Sequence, residues 1–393
     1  MKVVHGSWSP GFEWVRESFA KGLAEDEVGA ACAVYQHGRL VVDLWGGFAD
    51  REAERPWERD TAALVFSSTK GVTAALVHRL AERGALDLEA PVARYWPEFA
   101  ARDKERITVR DVLTHRAGLA AVDADLSLDD VLAWDPVCAA IAAQAPNWEP
   151  GTEHGYHART YGWILGEVVR RVTGQSLGAY FAAEVARPLG LDFWIGLPAE
   201  IEPRVAKLYP APEPADPEQR AALAAFMGSD TLLGRVLTGP SGLFSYGDMW
   251  NTRALHVAEM PSSNGIGTAR ALARFYAALI GEVDGVRLLS AEALAAATAT
   301  RADGPDRVLR LPMHFGSGFM LAPTLCADAP DTAFGHPGAG GSLGFADPAK
   351  GLAFAYVMNQ MQLGVVGDPR AERLVSAVYA SLSATATRAS VNG

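Results

Sequence analysis

The spacing of apolar and polar residues divides the chain into strand-forming ends and a helix-forming middle. Apolar and β-branched runs at 28–36 and 39–47 flank His37-Gly38, a pattern that predicts an antiparallel hairpin. From residue 70 to about residue 279 the apolar residues recur mostly at helical spacing. The clearest helical segments in this part of the chain are 74–83, 109–114, 161–172 and 269–279.

Strand-forming patterns return near the C-terminus. The runs are 315–321, 342–347 and 352–358. A closing helix is predicted over 368–383, and an amphipathic pattern that begins near Gly11 predicts a helix at the other end. A stretch rich in proline and acidic residues, 208–219, predicts an exposed loop.

Together these elements predict an α/β (α+β) fold. Strands from both ends of the chain would form one antiparallel sheet flanked by the terminal helices, with a mostly helical domain inserted between the two sets of strands. The sheet domain is therefore expected to be discontinuous, 1–62 with 262–393, and the helical domain to span 63–261. Clefts commonly form where two such parts meet, so we expect the functional site at their junction.

Composition limits the classes of function. The chain has 393 residues, of which 49% are hydrophobic, and a formal charge of −11, which disfavours nucleic acid or an anionic membrane as a partner. No hydrophobic run approaches a membrane span, so a cytoplasmic location is expected. His154 and His157 lack the partners of a known zinc motif, and neither a metal nor a cofactor is expected. The oligomeric state is left open.

Ser67 and Lys70 form the strongest candidate for chemistry. They follow the apolar run 61–66 directly, and residues at i and i+3 share one face of a helix, so the amine can reach the hydroxyl. A serine hydroxyl needs an adjacent base before it can attack an acyl carbon. Only six of the 35 basic residues are lysines, and lysine, unlike arginine, can become a neutral base. Ser18 and Lys21 match the same spacing but fall within the N-terminal amphipathic helix.

Two further segments could complete such a site. Tyr156 lies on a predicted loop before a helix, where its phenol could exchange a proton if a nearby lysine ammonium lowered its pKa. The segment 334–342 is rich in glycine, which lets a backbone approach a ligand closely. The backbone N–H groups of Ala339 and Ser67 could then form an oxyanion hole.

Taken in order, these segments resemble the three motifs of the serine β-lactamase and penicillin-binding-protein superfamily. The matching residues are Ser67-x-x-Lys70, Tyr156 and His336-x-Gly338. The pattern is similar in particular to the class C β-lactamase-like esterases, the family VIII carboxylesterases. The resemblance implies that Ser67 forms an acyl-enzyme, that Lys70 and Tyr156 share the base and acid work, and that the third motif lines the oxyanion side.

Two departures from the β-lactamase pattern favour a small-molecule ester as the substrate. Ala158 replaces an asparagine of the second motif, and His336-Pro337-Gly338 offers neither the permanent charge nor the hydroxyl usual in the third. His336 could instead hydrogen-bond a leaving group or order a water. Candidate specificity loops are 226–243 and the region of Trp250.

The sequence leaves other activities open. An acyltransferase, or an amidase, β-lactamase or D,D-peptidase, could use the same nucleophile. A binding protein that kept the fold without catalysis is a further alternative. Short- to medium-chain esters remain the predicted substrates of a serine carboxylesterase.

Overall fold

The computed structural model describes residues 2–228 and 230–391, so Met1, Ser229, Asn392 and Gly393 of the predicted domains lie outside the described residues. The strands are β1 (Val4–Trp8), β2 (Gly29–Gln36), β3 (Arg39–Asp50), β4 (Arg55–Pro56), β5 (Ala63–Leu64), β6 (Phe193–Trp194), β7 (Ile266–Gly267), β8 (Ala302–Pro305), β9 (Pro312–Phe315), β10 (Met320–Leu321), β11 (Phe334–Pro337), β12 (Leu343–Asp347) and β13 (Leu352–Met358). The helices are α1 (Glu13–Glu25), α2 (Thr69–Glu82), α3 (Val109–Leu113), α4 (Leu128–Leu132), α5 (Asp135–Ala143), α6 (Thr160–Thr173), α7 (Leu177–Phe181), α8 (Arg187–Leu189), α9 (Pro217–Phe226), α10 (Leu232–Thr238), α11 (Arg253–Val257), α12 (Ala269–Ile280), α13 (Ala291–Thr298) and α14 (Pro369–Val391).

The main sheet is antiparallel and joins the two ends of the chain. Its strand order is β1-β3-β2-β13-β12-β11-β10-β9-β8, and β4 pairs with β3 as a further strand. The two halves meet where β2 pairs with β13, with Val34 opposite Phe354. A separate small sheet has the order β5-β7-β6 and places the end of β5 next to the first turn of α2. The predicted fold class and the assembly of one sheet from both ends are confirmed.

The central strands are buried on both faces. On β13, Phe354 and Tyr356 point into a core shared with α1 and α14, while Ala353 and Ala355 face the core that contains α12. Side chains alternate across a strand, so a strand covered by helices on both sides needs an unbroken apolar run. This double burial explains the continuous hydrophobic pattern over 352–358 in the sequence.

Several predicted boundaries agree closely with the structure. The hairpin turn at His37 and Gly38 has positive φ angles of 46° and 75°, as a two-residue hairpin turn requires. The predicted helices at 161–172 and 269–279 correspond to α6 and α12. The terminal helices α1 and α14 pack against each other on one side of the sheet.

Two predicted elements were wrong in part. Residues 315–321 form two short strands, because the chain turns at Gly318, which has a φ of 91°, and its β9 and β10 flanks pair with each other. The segment 208–219 is not wholly an exposed loop. Leu208 and Tyr209 are buried, and their backbone N–H groups donate to Asn251 and Asn359. The helix α9 begins at Pro217.

Within the described parts of the chain, no helix combines the length and apolarity required to cross a bilayer. The three cysteines, Cys32, Cys138 and Cys326, are free and buried. The division of the chain at residues 62/63 and 261/262 into a sheet domain and a helical domain is retained as our proposal.

The double burial of β13 predicts a large loss of stability when one of its side chains is truncated. Leu352 has no exposed surface, so Leu352→Ala removes apolar contacts and leaves a cavity that we expect to lower the free energy of unfolding by about 2–5 kcal/mol. The same substitution at Leu311, which is 45% exposed, serves as the matched control and should change it by less than about 1 kcal/mol. Urea unfolding of the two variants measures the difference, and equal losses would contradict the packing described for β13.

Candidate active site

Ser67 lies in a short 3₁₀ turn, Phe66–Ser68, between β5 and α2. The turn requires a positive φ of 43° at Phe66, whose buried ring packs 5.1 Å from the ring centre of Trp250 and 5.6 Å from that of Tyr246. Ser67 itself remains half-buried and therefore accessible. The packed aromatic ring thus fixes the serine at the N-terminal end of α2, where the helix dipole favours negative charge.

Lys70 lies one turn further along α2 and is fully buried. Its Nζ atom lies 3.1 Å from Ser67 Oγ and donates to the carbonyl oxygens of Ala158 (2.7 Å) and Ser262 (2.9 Å). A neutral amine has two N–H donors and one lone pair. The two carbonyls use both donors, so the lone pair can accept the Ser67 hydroxyl proton.

The electrostatic surroundings favour the unprotonated form of this amine. Burial holds the pKa of Lys70 well below 10.5, and the positive charge of Arg159 lowers it further. No carboxylate stands among the groups that shift it. Lys70 can therefore act as a general base without an additional proton acceptor.

Tyr156 lies on the loop before α6, and its ring centre is 4.9 Å from Lys70 Nζ. Its backbone N–H donates to Oδ1 of Asp306, which also accepts from the N–H groups of Val308 and Leu309. Burial raises the pKa of the Tyr156 phenol above its usual value, and a hydrogen bond with Ser67 opposes this only in part. The expected lowering of the Tyr156 pKa by a lysine ammonium was wrong, because burial of the phenol is the largest effect and Lys70 is not among the groups that shift its pKa.

The third motif forms the end of β11 and the turn that follows it. A Cβ atom on Gly338 would lie 2.1 Å from the carbonyl oxygen of Val65 and 2.3 Å from Ser342 Oγ, so only glycine fits beside the strand that leads to Ser67. The Ser342 hydroxyl donates to that same Val65 oxygen at 2.7 Å. These contacts bring Ala339 into the cavity in front of Ser67.

His336 does not line that cavity. Its ring is buried, lies 6.1 Å from the ring centre of Tyr156, and donates from Nδ1 to the carbonyl oxygen of Pro337 at 2.7 Å. Burial lowers the pKa of His336 to about 3, so the imidazole is neutral. Its Nε2 atom has no hydrogen-bond partner among the described residues.

The cavity is narrow, about 310 Å³ with the space open to solvent included. Of the predicted specificity segments, 226–243 contributes Leu237 to the cavity lining. Trp250 does not line the cavity but packs against the ring of Phe66. Ser229 and the side chain of Phe226 fall outside the described residues. The cavity is lined by Phe66, Ser67, Tyr156, Ala158, Arg159, Leu237, Tyr246, Ser263, Ala339 and Val365.

Sequence reasoning missed three residues that shape the site. Ser262 supplies a carbonyl to Lys70, Asp306 holds the Tyr156 backbone, and Arg159 places a positive charge in the cavity wall. All three act across long separations in sequence, and no local motif marks their partners. The short polar run that contains Ser262, between α11 and α12, was the one signal in the sequence.

The competing serine–lysine pair does not form a site. Ser18 lies within α1, where its hydroxyl donates to the carbonyl oxygen of Arg373, and Lys21 is exposed. At the disfavoured zinc pair, His157 accepts from the N–H of Leu119 at Nε2 and donates from Nδ1 to the oxygen of Gly155. Both of its ring nitrogens are therefore occupied by the backbone.

Comparison with known proteins places this geometry in a family. The family model described as Beta-lactamase matches residues 15–379. The chain belongs to the β-lactamase family. It is 40% identical over 371 residues to the Esterase/beta-lactamase LipL of Mycobacterium tuberculosis, an alignment that covers 91% of this chain and 83% of LipL. It is also 36% identical over 181 residues to the Esterase EstB of Burkholderia gladioli, which covers 42% of this chain and 46% of EstB.

Solved structures of this family superpose on nearly the whole chain. A family VIII carboxylesterase has a TM-score of 0.87 and 41% identity, with 96% of this chain and all of that chain covered. EstA from Arthrobacter nitroguajacolicus Rue61a has a TM-score of 0.87 and 35% identity, with coverage of 97% and 100%. The mixed α/β architecture with its antiparallel sheet is therefore the fold of this β-lactamase family.

The close approach at Gly338 predicts a sharp effect on the nucleophile. In Gly338→Ala the new methyl group would displace Ala339 or the backbone at Val65, and we expect labelling of Ser67 by an activated phosphonate to slow on the order of 10²-fold. Gly281→Ala is the matched control, since only one backbone atom lies within 4.0 Å of its new Cβ. Labelling of Gly338→Ala at the wild-type rate, measured by intact mass, would contradict the tight packing described.

Proposed function

We propose that this protein is a serine carboxylesterase that cleaves small-molecule esters of short- to medium-chain acids through an acyl-enzyme on Ser67. The observation that carries the proposal is the 3.1 Å contact between Ser67 Oγ and a buried lysine amine, and burial lowers the pKa of that amine. Its similarity to LipL and to a family VIII carboxylesterase supports the same activity. The small cavity volume favours the shorter acyl chains.

In the first half of the proposed reaction, Ser67 Oγ attacks the acyl carbon while its proton passes to Lys70 Nζ. The neutral Tyr156 phenol gives a proton to the departing alcohol oxygen and regains one from the Lys70 ammonium. The net result is an acyl-serine, a free alcohol and a neutral amine, so the base is restored before water enters.

In the second half, water attacks the acyl-serine and loses its proton to Lys70. The tetrahedral intermediate then expels Ser67 Oγ, which recovers the proton from the Lys70 ammonium and leaves the amine neutral. The acid product leaves and the resting site is regenerated. Lys70 takes up and returns one proton in each half, whereas Tyr156 acts as the acid in the first half only.

The negative charge that develops on the carbonyl oxygen is assigned to an oxyanion hole formed by the N–H groups of Ser67 and Ala339. Among the described residues, neither N–H donates to a group outside its own turn. His336 and Gly338 shape the turn that presents Ala339, and His336 keeps a neutral ring against Tyr156.

Esters are favoured over amides by what the site lacks. Ala158 contributes a backbone oxygen to Lys70 but has no side-chain amide for an amide substrate, and the third motif has no cation. An alkoxide leaves more readily than an amine and so requires less protonation. A nitrocefin assay decides whether β-lactam cleavage accompanies ester cleavage. The proposal of a cytoplasmic location rests on composition alone, whereas that of a small-molecule ester rests on the residues of the site and on the similarity to known esterases.

Loss of the nucleophile is the first test of this proposal. Ser67→Ala should lower kcat on 4-nitrophenyl butyrate on the order of 10⁶-fold and abolish phosphonate labelling, because no acyl-serine can form. Ser18→Ala removes a hydroxyl that lies in α1 and should retain both. Hydrolysis that persists in Ser67→Ala, or an acyl mass increment mapped to another residue, would contradict the proposal.

The neutral amine predicts a particular pH profile. Because the pKa of Lys70 is lowered, the base is available above that value and is lost as the pH falls through it, so kcat/KM should reach its plateau well below 10.5. Because the pKa of Tyr156 is raised, ionisation of its phenol should cause no loss of kcat/KM below pH 10.0, the ordinary pKa of tyrosine.

An arginine side chain cannot lose its proton, so Lys70→Arg should lower kcat/KM by about 10²- to 10⁴-fold at every pH. A wild-type profile that still rises toward pH 10.5 would contradict the neutral amine.

A further inference from the structure

Arg159 is a buried arginine in the wall of the cavity, and no carboxylate in the described part of the chain pairs with it. It is 4% exposed and lines the cavity together with Ser67 and Tyr156. Burial lowers the pKa of Arg159, and Tyr246, which is also a hydrogen-bond partner, opposes this in part together with Tyr156. No ion pair of Arg159 with an Asp or Glu forms among the described residues. The charge of this guanidinium is therefore not neutralised by the protein.

Arg370 is the other arginine that is deeply buried among the described residues, and its positive charge has carboxylate partners. Arg370 is 2% exposed and pairs with Glu27 and with Asp368. Its five donor hydrogens are matched by five hydrogen bonds, one of which holds the Gly340 carbonyl oxygen in the third-motif turn. The charge of Arg370 is thus balanced by carboxylates and all of its donors are used, and neither statement holds for Arg159.

The contacts of Arg159 account for only part of its donors. Nη1 donates to the carbonyl oxygens of Val236 (3.1 Å) and Leu237 (2.7 Å) at the C-terminal end of α10, and the guanidinium carbon lies 4.2 Å from the ring centre of Phe244. A helix C-terminus and an aromatic face each stabilise a cation modestly. Nε is buried and has no hydrogen-bond partner among the described residues.

These contacts hold the guanidinium in place without balancing its charge. No other residue that lines the cavity is a Lys, Arg, Asp, Glu or His. A buried unpaired charge is costly, and an anion that enters beside it gains an interaction strengthened by the low local dielectric. Capping of the α10 C-terminus accounts for the contacts of Nη1, but it leaves Nε without a hydrogen bond and the positive charge without a counterion.

We propose that Arg159 is a specificity-determining residue that binds a free carboxylate on the ester substrate, carried by either the acyl or the alcohol part. This inference rests on the proposed esterase function and narrows it to anionic esters. A guanidinium suits the planar carboxylate because it can donate two parallel hydrogen bonds.

Two isosteric pairs of esters test the inference in the wild-type protein. The acyl pair is mono(4-nitrophenyl) adipate and 4-nitrophenyl 6-methylheptanoate, and the alcohol pair is 4-(butyryloxy)benzoate and 4-isopropylphenyl butyrate. After division by each ester's rate with hydroxide, kcat/KM of the anionic member should exceed that of the neutral member about 10- to 100-fold in one pair. The pair that shows the preference identifies which part of the ester carries the carboxylate. Neutral esters that match or exceed the anionic ones in both pairs would overturn the inference.

Substitution assigns the preference to the residue. Arg159→Met should reduce the ratio to near one, and Arg159→Lys, which keeps a charge and a donor for α10, should retain part of it. Arg79→Met is the matched control, because Arg79 also donates to a backbone carbonyl but does not line this cavity. An unchanged ratio in Arg159→Met overturns the assignment, and the wild-type ratios decide the inference even if that variant does not fold.

The same assays separate the two levels of the proposal. Hydrolysis of all four esters that depends on Ser67 but shows no charge preference rejects the role of Arg159 and leaves the esterase intact. Absence of hydrolysis in the wild type, or equal rates in Ser67→Ala, rejects both.

Discussion

The hydrogen bond between the Ser67 hydroxyl and the Lys70 amine is the interaction on which the site depends. It has catalytic value only while the amine is unprotonated, since an ammonium has no lone pair to accept a proton. The fold provides this state by burying Lys70, by offering two backbone carbonyls to its two N–H groups, and by placing Arg159 nearby. A carboxylate in the same position would favour the ammonium and remove the base.

The parts of the site come from segments that are far apart in sequence. The start of α2 supplies Ser67 and Lys70, the proposed nucleophile and base. The loop before α6 supplies Tyr156 and the Ala158 oxygen, and the segment before β7 supplies the Ser262 oxygen. The turn after β11 of the main sheet supplies Ala339 to the cavity wall. Packing between these segments therefore sets the chemistry, and a shift of any one of them changes the surroundings of the amine.

The sequence predicted what depends on local spacing. The positions of Ser67 and Lys70 on one helical face, the hairpin at His37 and Gly38, and the apolar run of β13 follow from neighbouring residues, and the structure agrees with each. What depends on distant contacts could not be derived. The burial that lowers the pKa of Lys70 and raises that of Tyr156, and the unpaired charge of Arg159, exist only once remote segments pack together.

The protonation state of Lys70 can be measured directly. The chain has only six lysines, so a titration of ¹³C-labelled lysine side chains by NMR gives a few resolved signals, and Lys70→Arg identifies the one that belongs to residue 70. The structure predicts that this signal has the chemical shift of a neutral amine at neutral pH, with a pKa well below 10.5. A Lys70 signal that titrates near 10.5 together with the exposed lysines would contradict the central role given to the neutral amine.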